Sequence, residues 1–205
     1  MPDKYISINI KTLLEEGNSS FIGEEKLKEI LSDFVCPKNP DVEVFLHKNA
    51  IEFTKKNQSV TYLVFDMNTG FFVGYYAIAI KPIIVRAKEL SKNGQKKLER
   101  IAVLDADEQS YSAAAYLIAQ LGKNYALPKE YQITGRELLA AAMDSVIEVQ
   151  YSIGGVVMFL ECEDNPFLLN FYSKQNAFKA FDIRETNSPA ADMEPRMLHQ
   201  LLKFI

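Results

Sequence analysis

Apolar positions over residues 24–34, namely Leu27, Ile30, Leu31 and Phe34, recur at three- and four-residue intervals. That spacing predicts a short amphipathic helix. After a break at residues 36–40, Asn39 followed by Pro40 reads as an N-cap and a first-turn proline. The helix they open runs to about Lys56, with Val42, Phe45, Leu46, Ala50 and Phe53 on one stripe. The pattern then changes. Residues 60–65 are β-branched and aromatic, residues 67–70 (MNTG) signal a turn, and residues 71–85 form a second apolar run. This predicts a β-hairpin. Residues 88–100 read as a polar, Lys-rich helix or loop, residues 105–110 as a loop, and residues 113–121 as a third strand. A long helix is expected over residues 135–151, ended by Ser152-Ile153-Gly154-Gly155. Residues 156–161 are apolar throughout, so this strand should be central and buried on both faces. A helix over residues 165–174 follows. Residues 178–205 predict an antiparallel pair around a loop at 186–194. The order is that of an α/β fold with a mixed, mostly antiparallel central sheet flanked by helices.

No repeat, low-complexity tract or Pro/Gly/Ser-rich linker divides the 205 residues, so a single domain over 1–205 is expected. Hydrophobic residues make up 48% and charged residues 24%, enough for a real core. The net charge of -4 gives no overall attraction to nucleic acid or anionic membrane. Lys88, Lys92, Lys96, Lys97 and Arg100 form the one obvious basic stretch, read as a solvated face. Cys36 and Cys162 give no disulfide framework, which suits a reducing, cytoplasmic compartment. Residues 1–10 carry early charge and lack the apolar core of a signal peptide, and no apolar run is long enough to span a membrane. His47 and His199 are isolated and without ligand spacing, so no metal site is expected.

The most informative stretch is AYLIAQLGKNYALPKEYQITGRELLAAAMDSV, residues 115–146. A strand leads through a loop into a helix. Thr134 and Glu137 have the spacing of a capping box, so the helix starts at Thr134. Its first turn leaves N–H groups without intrahelical partners, and these, with the positive end of the helix dipole, suit a pyrophosphate. Gly135 lets backbone approach a phosphate closely, and Arg136 adds a cation. Many helices open this way without a ligand.

The string resembles the acetyl-CoA-binding segment of the GNAT superfamily of N-acetyltransferases, whose pattern is Arg/Gln-x-x-Gly-x-Gly/Ala followed by a Leu-Leu pair. Gly135 and Leu138-Leu139 match its end, while Glu130 and Ile133 stand where the pattern has Arg/Gln and Gly. Glu130 is expected to point outward. The stretch VVMFLECEDNPFLLNFYSKQNAFKAF is similar to the closing strand and helix of the family: Asn165 and Tyr172 keep the Asn-to-Tyr spacing, with Ala177-Phe178 in place of Gly-Phe. The hairpin TYLVFD…FFVGYYAIA also looks like the family's early strands. The resemblance covers about residues 42–178.

The resemblance implies an acetyl-CoA-dependent N-acetyltransferase in which an amine attacks the thioester directly. Ile118, Ala119 and Gln120 would lie along the pantetheine arm, with a backbone N–H near Ile118 on the thioester oxygen. Thr134, Gly135 and Arg136 would hold the pyrophosphate. Tyr172 would protonate the leaving sulfur, since a phenol is protonated at neutral pH; the alternative is a core aromatic beside Phe171 and Phe178. Asn165 would bond the pantetheine, which is compatible with an N-cap role before Pro166. Glu161 and Glu163 fall on one face of their strand and are candidate bases; the alternative is a solvated pair at the strand's end. Cys162 reads as a buried small hydrophobe. Two other functions stand beside this one. One is a toxin-like GNAT enzyme acetylating aminoacyl-tRNA, which the net charge disfavours. The other is an acyl-CoA-binding module without catalysis. An open sheet edge in this fold is compatible with a homodimer.

Overall fold

The computed structural model describes residues 4–185 and 196–205. Its strands are β1 (Tyr5–Asn9), β2 (Val60–Asp66), β3 (Phe72–Arg86), β4 (Leu104–Asp105), β5 (Ser110–Lys123), β6 (Val157–Glu163), β7 (Lys179–Glu185) and β8 (Met197–Phe204). Its helices are α1 (Ile10–Leu14), α2 (Glu24–Ser32), α3 (Pro40–Val44), α4 (Ala50–Lys55), α5 (Lys92–Leu98), α6 (Gly135–Ile153) and α7 (Pro166–Leu169). The chain forms two compact units, each made of two separate segments; β3, β5 and α6 run by chain continuity from one into the other.

The first unit comprises residues 1–79 and 118–145. Its strand order is β1-β2-β3-β5. β1 pairs antiparallel with β2 (Ile8 opposite Leu63), and β2 with β3 (Val64 opposite Gly74), with a bulge at Val64/Phe65. The predicted MNTG turn is made as expected: the Asp66 carboxylate accepts from the Asn68 and Thr69 N–H groups, and Gly70 takes a positive φ of 72°. Leu27, Leu31, Phe34, Val42, Leu46, Leu63 and Tyr75 form one buried cluster over this sheet. β3 and β5 approach closely at Gly74 and Gly122. A Cβ on Gly74 would meet the Gly122 carbonyl oxygen at 2.7 Å, and one on Gly122 would meet Val42 at 2.5 Å.

The helix expected from Asn39 onward is continuous but irregular. A π-helical turn, Phe45–Asn49, separates α3 from α4. One extra residue per turn rotates the inward stripe, so that Ile51 and Thr54 are buried after Ala50 while Phe53 is 37% exposed. The predicted stripe therefore fails at Phe53. Asn39 occupies the N-cap position with Pro40 behind it, but its side chain makes no capping bond. β1 and α1 were not anticipated; each has only five residues, too few for a period to show.

The second unit comprises residues 80–117 and 146–205, with strand order β3-β5-β6-β8-β7 and β4 paired on β5. β6 is buried from Val157 to Leu160 on both faces, as its unbroken apolar run requires. β8 pairs antiparallel with β6 (Phe159 opposite Leu202) and with β7 (Ile183 opposite His199). The expected closing pair is present; its loop at 186–194 falls outside the described residues. β5 begins three residues earlier than predicted, at Ser110, because β4 pairs with its start. The fold is α/β with a mostly antiparallel sheet flanked by helices.

Candidate active site

In the first unit, the site begins with the loop that joins β5 to α6. Asn124, 2% exposed, is its anchor. Its side-chain oxygen accepts from the Val35 N–H (3.1 Å) and the Ala126 N–H (3.0 Å). Its amide nitrogen donates to the Phe72 carbonyl (2.9 Å) and the Asp33 carbonyl (3.2 Å). Main-chain bonds from Asn124 to Val73 and from Tyr125 to Val35 complete the tie. One buried carboxamide thus fixes the loop to β3 and to the segment after α2. Sequence reading missed Asn124, because nothing local marks a residue whose partners lie up to 91 positions away.

The loop then makes a 3₁₀ turn at Lys129–Tyr131 that leaves Glu130 exposed, as expected. Gln132 donates to the Leu127 carbonyl at 2.8 Å, and Ile133 is fully buried. The capping box forms as predicted. The Glu137 N–H donates to Thr134 Oγ1 at 3.2 Å, and the Thr134 N–H donates to Glu137 Oε2 at 2.9 Å. The N–H groups of Gly135 and Arg136 have no acceptor among the described residues. Burial raises the Glu137 pKa, but its bonds from Thr134 and the nearby Lys4 outweigh this and hold it below the usual carboxylate range. Gln132 also suggests a different register for the glycine pattern. Gln132-x-x-Gly135-x-Glu137 restores the initial Gln and leaves Glu137 at the Gly/Ala position. Ile118 is buried, while Ala119 and Gln120 are half-buried on the same strand.

In the second unit, Asn165 caps α7: its side-chain oxygen accepts from the Phe167 N–H at 2.9 Å and the Leu168 N–H at 3.4 Å. α7 passes into a second π-helical turn, Asn170–Gln175, which carries Tyr172. The Tyr172 ring packs edge-on against Phe171 (5.0 Å) and Phe178 (6.3 Å). Its hydroxyl makes no hydrogen bond among the described residues. Burial, with a small contribution from Cys162, pushes this phenol up to about 12. The ring is thus packed while the hydroxyl is unused.

Glu161 and Glu163 share a face of β6, and each meets an arginine. Arg184 makes a two-pronged ion pair with Glu161, which also accepts from Gln200 at 2.7 Å. Burial raises the Glu161 pKa, but these bonds more than compensate and keep the carboxylate ionised. The exposed Glu163 pairs with Arg196 at 2.8 Å. Burial pushes the Cys162 thiol up to about 11, so it stays protonated at neutral pH. A depression of about 550 Å³ lined by Ile84, Val103, Leu104, Asp105, Glu108, Ser110 and Ser112 contains none of the predicted site residues. No three His, Cys, Asp or Glu side chains gather as metal ligands among the described residues.

No family model and no curated relative matches the sequence. Solved structures do match in fold. AtaT complexed with acetyl-methionyl-tRNAfMet superposes with a TM-score of 0.59 at 16% identity, over 94% of this chain and 93% of that one. A tyrosine-to-phenylalanine mutant of KacT gives 0.58 at 16% identity, over 96% and 95%. AtaTR bound with acetyl-CoA gives 0.56 at 15% identity, over 96% and 94%. At these identities the likeness is one of fold, and the chain has the GNAT fold that its sequence pattern led us to expect.

Proposed function

We propose that residues 1–205 act as one acetyl-CoA-dependent N-acetyltransferase in which an amine attacks the thioester directly. The observation that carries this reading is the start of α6, where the Gly135 and Arg136 N–H groups are left without acceptors behind a formed capping box. The acetyl-CoA-bound AtaTR structure, similar in fold, supports it. Thr134, Gly135 and Arg136 take the pyrophosphate. Ile118, Ala119 and Gln120 carry the pantetheine, the Ile118 N–H polarising the carbonyl, and Asn165 adds a polar contact to the arm.

As the amine attacks, an oxyanion forms, the C–S bond breaks and the thiolate leaves. Tyr172 donates to that sulfur. With a pKa of about 12 it stays protonated throughout the working range. Full transfer to a thiolate of pKa ~8.5 would be uphill, so its contribution is a hydrogen bond to developing negative charge. Glu161, ionised but held by its ion pair with Arg184 and the bond from Gln200, is a poor proton acceptor, which leaves solvent, or Glu163 once released from Arg196, as the base.

A second reading names the acceptor. The AtaT complex contains acetyl-methionyl-tRNAfMet, which supports the α-amine of an aminoacyl-tRNA as the nucleophile here. Such an amine has a pKa of about 8, far below a lysine side chain, so a dedicated base matters little. We place the enzyme in the cytoplasm, where the buried thiols Cys36 and Cys162 would stay reduced.

Acetyl-CoA should raise the melting temperature, since a ligand at about 100 times its Kd adds ~2.7 kcal/mol. Gly135→Glu should abolish the rise and leave the unliganded melting temperature nearly unchanged, because a first-turn Glu suits the helix dipole. A folded variant that binds acetyl-CoA as tightly as wild type would show that the phosphates lie elsewhere.

A further inference from the structure

Two lysines in the first unit converge on one aromatic ring. Lys38 Nζ lies 5.1 Å from the centroid of the Tyr125 ring, and Lys123 Nζ lies 5.3 Å from it. Lys38 comes from the segment after α2, and Lys123 is the last residue of β5. The two ammonium groups are therefore within about 10 Å of each other, about one Debye length at 0.1 M salt. Neither is paired with a carboxylate among the described residues. The Tyr125 ring face offers each a weak cation–π attraction and holds no negative charge of its own.

This arrangement is held in place. The Asn124 carboxamide binds the main chain on both sides, at Val35 and Asp33 and at Phe72, and Tyr125 N–H donates to the Val35 carbonyl at 2.8 Å. Nothing in those bonds needs two like charges on one ring. Lys123 is half-buried, and desolvation followed by the field of Lys38 lowers its pKa, only partly opposed by Glu137. A bound anion would remove the repulsion that the fold otherwise carries.

We propose that Lys38, Tyr125 and Lys123 form an anion clamp for a phosphoryl group. Two point-charge donors gathered at one aromatic ring suit a phosphate mono- or diester better than a planar carboxylate, for which arginine is the usual partner. The clamp does not depend on the acetyl-CoA reading. A phosphoryl group could reach it from a nucleotide cofactor or from RNA, and the test separates these sources.

The protein, its lysines dimethylated with ¹³C, is titrated with inorganic phosphate and followed by NMR. The Lys38 and Lys123 methyl signals should move together, and the Lys123 titration midpoint should rise, because an anion favours the charged ammonium. The groups around the pair that titrate or carry charge are Glu137, Tyr125, Cys36 and Glu43, and the methyl signals of the other lysines provide the internal reference. Lys38→Met and Lys123→Met should each weaken phosphate binding about tenfold, the worth of one charge-assisted contact. The response should persist in Gly135→Glu, which separates the clamp from the start of α6 and from any failure of acetyl-CoA to bind. Coenzyme A against its analogue lacking the 3′-phosphate, and a short RNA in parallel, identify the source: the ligand whose binding weakens in Lys123→Met is the one held. Equal shifts at Lys92, Lys96 and Lys97, or unchanged phosphate affinity in both methionine variants, would overturn the clamp.

Discussion

Tyr172→Phe should lower turnover by roughly 10²–10³-fold, the effect of removing one donor to developing negative charge, and leave acetyl-CoA affinity near that of wild type. The change deletes one hydroxyl. The ring contacts to Phe171 and Phe178, at 5.0 and 6.3 Å, survive in a phenylalanine. Because the hydroxyl has no hydrogen-bond partner among the described residues, its removal should cost little stability. A structural tyrosine would behave the opposite way, losing stability and keeping activity. The pH profile adds a second check. With the phenol at about 12, the donor is intact across the neutral range and up to roughly pH 11, so wild-type kcat should show no loss from Tyr172 deprotonation at neutral or mildly alkaline pH. The effect should fall on kcat and spare KM for acetyl-CoA. Normal kcat in a folded Phe variant would return Tyr172 to a packing role and leave the sulfur to solvent.

Asn124→Leu should destabilise the protein by roughly 3–5 kcal/mol, a loss of about 10 °C in melting temperature for a chain of this size. The carboxamide is 2% exposed and serves four main-chain groups, the N–H of Val35 and Ala126 and the carbonyls of Phe72 and Asp33. Leucine of similar volume fills the space and leaves those groups unpaired, and stranding a buried polar group costs more than the bond itself contributed. The loop it holds leads to Gly135, so acetyl-CoA affinity should fall with stability even at temperatures where the variant is folded. A loss below about 1 kcal/mol would mean that the Asn124-to-Val73 and Tyr125-to-Val35 main-chain bonds suffice to hold the loop.

The sequence was legible where a physical period or a local cap writes the structure. The Thr134/Glu137 box, the MNTG turn and the doubly buried β6 each follow from neighbours within a few residues. Phe53 shows where that legibility stops. A π-turn between α3 and α4 inserts one residue, and nothing in the local apolar spacing announces it. Asn124 and the Lys38–Tyr125–Lys123 cluster are invisible for a different reason: each depends on partners far along the chain, Val35 and Asp33 for Asn124 and Lys38 for the ring. The candidate site divides along the same line. Gly135 and Arg136 could be named from the cap, and Tyr172 only from the resemblance. The glycine pattern keeps its initial Gln when it starts at Gln132 and has Glu there when it starts at Glu130.

Acetyl transfer itself is the most direct test. The protein is mixed with acetyl-CoA and with a panel of amines that includes aminoacyl-tRNA, and free thiol and acetylated product are measured together. The account predicts thiol release matched one-to-one by an N-acetylated amine, reduced in both Gly135→Glu and Tyr172→Phe. Acetyl-CoA that remains intact with every acceptor, or thiol release unaffected by either substitution, would contradict it.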